Sequence, residues 1–126
     1  MEQAKTRILE AQYVQLAEYQ EHDFIQLIDG EVVIGMPSIL KHQAIVRELL
    51  IMFGLIARQT GGTAFAAPTK AMLDDTNVFE PDVLYLTPDS NCRMEKQRIV
   101  GAPELVVEVL SPSTAKYDRR EKYQAY

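Results

Sequence analysis

Apolar residues recur at helical spacing in two parts of the chain. Within residues 7–20 the apolar positions are Ile8, Leu9, Tyr13, Leu16 and Tyr19. This spacing predicts a short amphipathic helix. Between residues 40 and 59 the corresponding positions are Ile45, Leu49, Met52, Phe53 and Ile56. The pair Gly61-Gly62 follows directly and is typical of a helix end, so a second helix is predicted from Leu40 to Gln59.

A β-hairpin is predicted between these helices. The string FIQLIDGEVVIGM contains two short β-rich runs on either side of Asp29-Gly30. This dipeptide favours the positive φ angles of a tight hairpin turn. Pro37 and Ser38 end the pattern before the long helix.

Three more short runs rich in valine and leucine predict strands. Residues 64–74 and 78–86 form two of them, joined by a turn at 75–77, and residues 104–111 form the third. The final string SPSTAKYDRREKYQAY begins with Ser/Thr capping residues and continues in helix formers to the last residue. The order of elements therefore predicts a chain that mixes helices with short strands.

Composition limits the class of protein. The 126 residues suit a single domain, 1–126, and 47% hydrophobic with 25% charged residues is ordinary for a globular protein. No apolar run is long enough to cross a membrane, and the acidic amino terminus is unlike a secretory signal, so we expect a cytoplasmic protein. Cys92 is the single cysteine, which excludes an internal disulfide or a zinc cluster within one chain.

The net charge of −5 argues against a general surface for polyanions. Charge is unevenly placed, however, and the carboxyl-terminal stretch is basic at Lys116, Arg119, Arg120 and Lys122. A metal-binding site is also acidic when empty. The overall charge therefore changes the interpretation only slightly.

Two acidic residues lie in apolar, strand-like runs: Asp82 in FEPDVLYL and Glu108 in PELVVEVLSPST. A carboxylate in a buried strand is costly unless a cation, a metal or several hydrogen bonds offset its desolvation. Two such carboxylates on neighbouring strands, with Lys122 a short distance downstream, indicate a Mg²⁺-dependent site for cutting phosphodiesters.

The same strings carry a family resemblance. DGEVV, a helix that begins near His42, EPDVLYL, and then PELVVEVLSPST with Asp118, Lys122 and Tyr126 in step resemble the Uma-type family of proteins assigned as restriction endonucleases, in the PD-(D/E)XK superfamily. The resemblance covers residues 24–126. It implies an α/β (α+β) fold with a mixed β-sheet flanked by helices, Mg²⁺ (or Mn²⁺) binding and hydrolysis of DNA.

The resemblance also implies roles for individual residues. Asp82 and Glu108 would hold the metal. The superfamily lysine would stand two positions after the acid, where this chain has Leu110, and the resemblance suggests that Lys122 replaces it from the following helix. Asp118 lies four residues before Lys122 and could hold it by an ion pair. The alternative for Lys122 is an ordinary charge on a solvated helix face.

Two further site residues come from the family pattern. Glu31 matches the acid of the DGE string and would supply a third carboxylate, although a polar residue on a hairpin is the alternative. His42 would touch the scissile phosphate, and the alternative is a residue that caps the helix. Edge-strand protection against aggregation is the alternative for Glu108.

Two other functions remain open. One is a catalytically inactive nuclease-fold module that binds DNA or a protein, which the acidic charge and Leu110 favour. The other is a small hydrolase or structural domain in which the acids pair with Arg47, Arg58 or Arg98. Nucleophile, zinc-ligand and phosphate-loop patterns of other enzyme classes are absent from the sequence.

The last residues carry one more expectation. The chain stops at Tyr126 inside a helical pattern without a glycine or proline stop signal, whereas family members continue with further strands. We therefore expect a truncated domain whose open sheet edge is covered by a second copy of the chain. A homodimer would also suit the cutting of two DNA strands.

Overall fold

The computed structural model describes residues 8–13, 25–34, 40–110 and 121–126. The helices within these ranges are α1 (Glu10–Tyr13), α2 (Leu40–Thr60) and α3 (Glu121–Ala125). The strands are β1 (Ile25–Ile28), β2 (Glu31–Ile34), β3 (Thr63–Ala66), β4 (Lys70–Asp74), β5 (Asn77–Phe79), β6 (Val83–Leu86), β7 (Arg93–Met94), β8 (Arg98–Val100) and β9 (Leu105–Val107).

The strands form two sheets. The larger sheet has the order β2-β1-β5-β4-β8-β7, and the smaller has the order β3-β6-β9. The pairing of β4 with β8 is parallel, whereas the other pairings in both sheets are antiparallel. The predicted mixed α+β class is therefore confirmed, with the strands divided between two sheets.

The predicted hairpin is present as β1 and β2. Asp29 and Gly30 have φ angles of 48° and 72°, the positive values that a two-residue hairpin turn requires. The turn is fastened to the larger sheet, because the Asp29 N–H donates to Asn77 Oδ1 at 2.9 Å and the Gly30 N–H donates to the Thr76 carbonyl at 2.8 Å.

The long helix α2 ends one residue beyond its predicted limit. Gly61 adopts a φ of 82°, and its N–H donates to the Ala57 carbonyl at 2.9 Å, which closes the last turn. Thr60 Oγ1 lies 2.6 Å from the Tyr85 hydroxyl and ties this end to β6. The helix packs against β3 and β6, so it covers the smaller sheet.

The two long strands predicted for residues 64–74 and 78–86 were wrong in extent, because each is interrupted at a proline. The first breaks at the cis Ala67–Pro68 bond into β3 and β4, and the second breaks at Pro81 into β5 and β6. Proline has no N–H to donate to a ladder, so a strand stops there. At both breaks the chain passes between the larger and the smaller sheet.

The strands β7 and β8 were not predicted. β7 consists of two exposed residues. β8 joins the larger sheet by parallel pairing with β4, in which Ile99 lies opposite Ala71. The third predicted strand, 104–111, is shorter over its described residues, 104–110, where the strand is β9.

Two apolar clusters hold the elements together. One joins α1 to the larger sheet through Tyr13, Ile25, Leu27 and Val78. The second contains Leu84 and Leu86 of β6 with Ile99 of β8 and so connects the two sheets. Full burial of such aliphatic side chains contributes about 1.5–3 kcal/mol each.

A buried ion pair crosses the larger sheet. Lys70 Nζ lies 2.6 Å from Glu80 Oε2 and also donates to the Ile25 carbonyl at 2.6 Å, and both side chains are less than one tenth exposed. Gln26 Oε1 accepts the Glu80 N–H at 2.9 Å. These contacts fix Glu80, two residues before Asp82.

Several predicted features lie outside the described residues. They are the amino-terminal helix beyond Tyr13, the start of the last helix with Asp118, and the basic residues Lys116, Arg119 and Arg120. In the described portion, no helix is long and apolar enough to cross a membrane.

Candidate active site

The pairing of β6 with β9 brings the two predicted acids together. Val83 lies opposite Val107 in this antiparallel pair. Asp82 directly precedes Val83 and Glu108 directly follows Val107, so the two acids flank the same end of this strand pair.

Asp82 is held by contacts from two other segments. Its Oδ2 accepts the Val109 N–H at 2.6 Å, and its Oδ1 lies 3.4 Å from His42 Nε2. His42 is in the first turn of α2, so the helix that covers the smaller sheet also delivers this imidazole to the acid.

Glu108 is held by the carboxyl-terminal helix. Lys122 Nζ and the Tyr126 hydroxyl both donate to Glu108 Oε1, at 3.0 Å and 3.2 Å. Lys122 is on α3 and Tyr126 follows directly after it, one helical turn apart, so one face of this segment meets the end of β9.

Phe79 forms an apolar wall behind these donors. Its ring centroid lies 5.6 Å from Lys122 Nζ and 5.0 Å from the ring of Tyr126, which meets it edge to face at 74°. A cation over an aromatic face and an edge-to-face ring pair are both attractive. Phe79 thus helps to fix the ammonium beside Glu108.

The side chains of the site are largely buried but keep some exposure to solvent. The side chain of Lys122 is 3% exposed, whereas those of Glu108, Asp82 and His42 are 14%, 16% and 15% exposed. A buried ammonium needs a paired carboxylate, and partly desolvated carboxylates bind cations more strongly than carboxylates in water do. The arrangement is therefore suited to attract a hard cation.

Asp82 and Glu108 are carboxylates, the type of ligand that a magnesium or manganese ion prefers. Among the described residues, no group of three or more His, Cys, Asp or Glu side chains is placed to hold a metal. Mg²⁺ is commonly held by one or two carboxylates, with water and substrate phosphate completing its shell. Asp82 and Glu108 can supply that minimum. His42 Nδ1 is buried without a hydrogen-bond partner in the described part of the chain, which marks a polar position beside the pair.

The missing superfamily lysine has a structural counterpart. Leu110 is 45% exposed and lies beyond the end of β9. Lys122 brings an ammonium to Glu108 from α3 instead. The contact places Lys122 beside Glu108, and its role in place of the superfamily lysine stays a prediction.

Glu31 lies apart from these residues in the fold. It opens β2, opposite Ile28, at an edge of the larger sheet, whereas Asp82 and Glu108 flank strands of the smaller sheet. Its role as a third carboxylate stays a prediction.

Two of the arginines that could have paired with the site acids bind other carboxylates. Arg47 lies 3.0 Å from Glu48, and Arg98 contacts Glu95 at 3.2 Å and also Glu10. The Arg47–Glu48 pair is on the exposed side of α2. The Arg98–Glu10 pair connects β8 to α1.

Tyr126 and the Val109 amide complete the site, and the sequence pointed to neither role. For Tyr126, the only indication in the sequence was its spacing of four residues from Lys122, which places both on one face of a helix. The Val109 N–H could not be assigned from sequence, because its partner follows from the register of β6 and β9.

Comparisons with known proteins agree with this fold. A family model described as "Uma2: Putative restriction endonuclease" matches residues 10–126. The fold is similar to the crystal structure of "a putative nuclease belonging to DUF820" from Anabaena variabilis ATCC 29413, with a TM-score of 0.73 and 20% identity over 94% of this chain and 67% of that chain. Likeness at this identity concerns the fold alone. No curated protein gives a match.

Proposed function

This chain belongs to the Uma2 family, and on that premise we propose that it is a metal-dependent endonuclease that hydrolyses phosphodiester bonds of DNA. One observation supports the proposal: Asp82 and Glu108 flank the same end of the β6–β9 pair, with the Lys122 ammonium 3.0 Å from Glu108. This constellation combines two ligands for a hard cation with a fixed positive charge.

Asp82 and Glu108 would hold Mg²⁺ or Mn²⁺. When bound, such an ion neutralises charge on the phosphate oxygens and lowers the pKa of a coordinated water. The Val109 amide fixes the orientation of Asp82, and Tyr126 with Lys122 fixes that of Glu108. The chain therefore positions both ligands before substrate arrives.

Lys122 and His42 would act on the substrate. The Lys122 ammonium orients the attacking water or stabilises negative charge that develops on the phosphate, the role of a preorganised cation. His42 lies on the other side of the pair, against Asp82, where its imidazole can contact the scissile phosphate. Glu31 remains a proposed third carboxylate of this site.

The test is a cleavage assay on plasmid DNA with Mg²⁺ or Mn²⁺, together with calorimetric titration of the metal. Asp82→Asn and Glu108→Gln keep the side-chain shapes but remove the negative charge. Each is expected to lower cleavage by at least about 10³-fold, because metal-assisted stabilisation amounts to several kcal/mol. Weaker metal binding should accompany the loss.

Asp75→Asn is the matched control, since this carboxylate is exposed in the β4–β5 turn. It should cleave and bind metal like the wild type. Wild-type rates in both site variants would overturn the assignment of Asp82 and Glu108.

An inactive nuclease-fold module that binds DNA or a protein is the second candidate. Leu110 in place of the superfamily lysine and the net charge of −5 favour it. Under this alternative the wild type would retain DNA or a protein partner but leave DNA uncut at every metal concentration.

We further propose that the protein acts in the cytoplasm and as a homodimer. Two copies of the site would allow both strands of a duplex to be cut. Sedimentation equilibrium that shows a monomer would contradict the homodimer without bearing on cleavage of a single strand.

A further inference from the structure

The outward side of α2 is unusually apolar for a surface helix. None of its 21 residues is buried, and the apolar side chains of Ile51 and Leu55 near its middle are 53% and 54% exposed. A second exposed row, alongside the first, consists of Ile45, Met52 and Ile56. A contiguous exposed apolar surface on a globular protein commonly marks an interaction site.

Charges of opposite sign lie at the two ends of this apolar surface. Glu48, Ile51, Leu55 and Arg58 follow one another at spacings of three, four and three residues, which places them in one stripe along the helix. Glu48 is 68% exposed, and Arg58 is also exposed. We call these four residues the α2 stripe.

The α2 stripe is complementary to itself under a two-fold rotation. When two such helices lie antiparallel with Phe53 at the centre, Ile51 meets the partner subunit's Leu55, and Glu48 meets the partner subunit's Arg58. Each contact occurs twice, as an isologous interface requires. The same rotation leaves no like charges opposed within the stripe.

We propose that the α2 stripe is the homodimer interface of this protein and that its occupant is the α2 stripe of a second copy. The apolar centre would supply the affinity, and the two ion pairs at its ends would set the antiparallel register, the division of roles seen in coiled coils. The helix is about 30 Å long, so the contact can extend over several turns.

The internal contact of Glu48 does not block this arrangement. Glu48 pairs with Arg47 at 3.0 Å, but both side chains are about two-thirds exposed. An exposed ion pair of this kind contributes little and is readily exchanged. The Glu48 carboxylate is therefore available to a second guanidinium.

This surface differs from the open sheet edge that the sequence suggested for dimerisation. The inference rests on the homodimer of the proposed function, but it requires neither metal binding nor cleavage. Its test can therefore be separated from the test of nuclease activity.

The test is a charge exchange followed by sedimentation equilibrium. Glu48→Arg alone opposes two arginines at each end of the stripe, and Arg58→Glu alone opposes two glutamates. Each variant is expected to raise the dimer dissociation constant at least about tenfold, because like charges face each other twice. An equimolar mixture of the two variants restores both ion pairs and should associate as the wild type does.

Two controls accompany the exchange. Lys96→Glu makes the same charge change as Arg58→Glu at an exposed position beyond β7 and should leave association unchanged. Leu55→Asp places a charge in the apolar centre and should give a monomer that no charge variant rescues. Circular dichroism of each variant checks that α2 remains folded.

The outcomes separate the two proposals. A wild-type chain that stays monomeric overturns both this interface and the homodimer, whatever the cleavage assay shows. A wild-type dimer that neither Glu48→Arg nor Arg58→Glu weakens overturns the α2 interface alone. Weakening by each variant without recovery in the mixture overturns the antiparallel register.

Discussion

Lys122 and Glu108 form a partly buried ion pair, with Nζ 3.0 Å from Oε1, although 14 positions separate them in the chain. Lys122→Met keeps an apolar stem of similar length but removes the ammonium. We expect cleavage to fall about 10²–10³-fold, the usual effect of losing one preorganised electrostatic group. Metal affinity, measured by calorimetry, should be retained or increased, because the Glu108 carboxylate loses a competing cation.

Lys122→Arg serves as the comparison, since it retains the charge with a different shape. It should recover part of the activity that Lys122→Met loses. Full activity in Lys122→Met would remove this lysine from the proposed mechanism.

The buried pair of Lys70 and Glu80 should dominate the stability of the larger sheet. Lys70→Met leaves the Glu80 carboxylate buried without the cation that lies 2.6 Å from it. Breaking such a pair from one side typically costs about 3–5 kcal/mol in the free energy of unfolding. Urea denaturation of Lys70→Met, of Glu80→Leu and of the double variant measures this coupling. The double variant should be more stable than either single one, and simple additivity of the two losses would contradict the prediction.

Substitution by alanine is expected to change the free energy of unfolding in opposite directions at Gly54 and Gly62. Gly54 is inside α2, and a Cβ there would meet nothing within 4 Å. Gly54→Ala should therefore raise the free energy of unfolding by about 0.5–1 kcal/mol through helix propensity.

Gly62→Ala should destabilise the protein. A Cβ at Gly62 would overlap the Leu86 carbonyl oxygen and lie 2.7 Å from the Tyr85 hydroxyl, so the end of α2 would have to move away from β6. Overpacking of this kind costs about 1–3 kcal/mol. Thermal denaturation of both variants gives the comparison, and equal shifts of the same sign would show that this close approach is unimportant.

The β4–β5 turn should give a defined acid sensitivity. Partial burial raises the pKa of the Asp74 carboxyl, but hydrogen bonds from Thr76 and Asn77 together outweigh it and hold the pKa below its ordinary value. A depressed pKa stabilises the folded state above the unfolded pKa of about 3.9, and this stabilisation is lost as the pH falls through the folded value.

Asp74→Asn removes that titration. The wild type should therefore unfold at a higher temperature than Asp74→Asn above a pH of about 4, and the difference should shrink as the pH falls further. Melting temperatures measured across this range test the prediction. A difference that stays constant with pH would contradict it.

The sequence predicted the features whose causes are local. The hairpin at Asp29-Gly30 and the helix before Gly61 follow from turn chemistry and from apolar spacing, and both are present. β8 escaped prediction because it pairs with β4, whose partner residues lie 28 positions earlier in the chain, and β7 because it is only two residues long. The prolines at the strand breaks were visible in the sequence, but the passage of the chain between sheets was not.

In the candidate site, too, the sequence predicted what depends on single positions and missed what depends on the packing of distant segments. Asp82 and Glu108 stood out because acids are costly in apolar strands, a property of each position alone. Their positions at the same end of the β6–β9 pair depend on strand register, which the sequence did not specify. Lys122 looked like one charge among several in its segment, and its burial became evident only from the packing of α3 against β9 and Phe79.

The alignment of Val83 with Val107 makes β6 and β9 less tolerant of insertions and deletions than the connections between the strands. One residue added within β9 would turn Glu108 to the opposite face of the sheet, because side chains alternate along a strand. Residues added to the connection between β6 and β7 would not change the direction in which the side chains of Asp82 and Glu108 point. Length differences among relatives with this site should therefore collect in the connections and spare the two strands, so that gaps within β6 or β9 would mark members that have lost the pair.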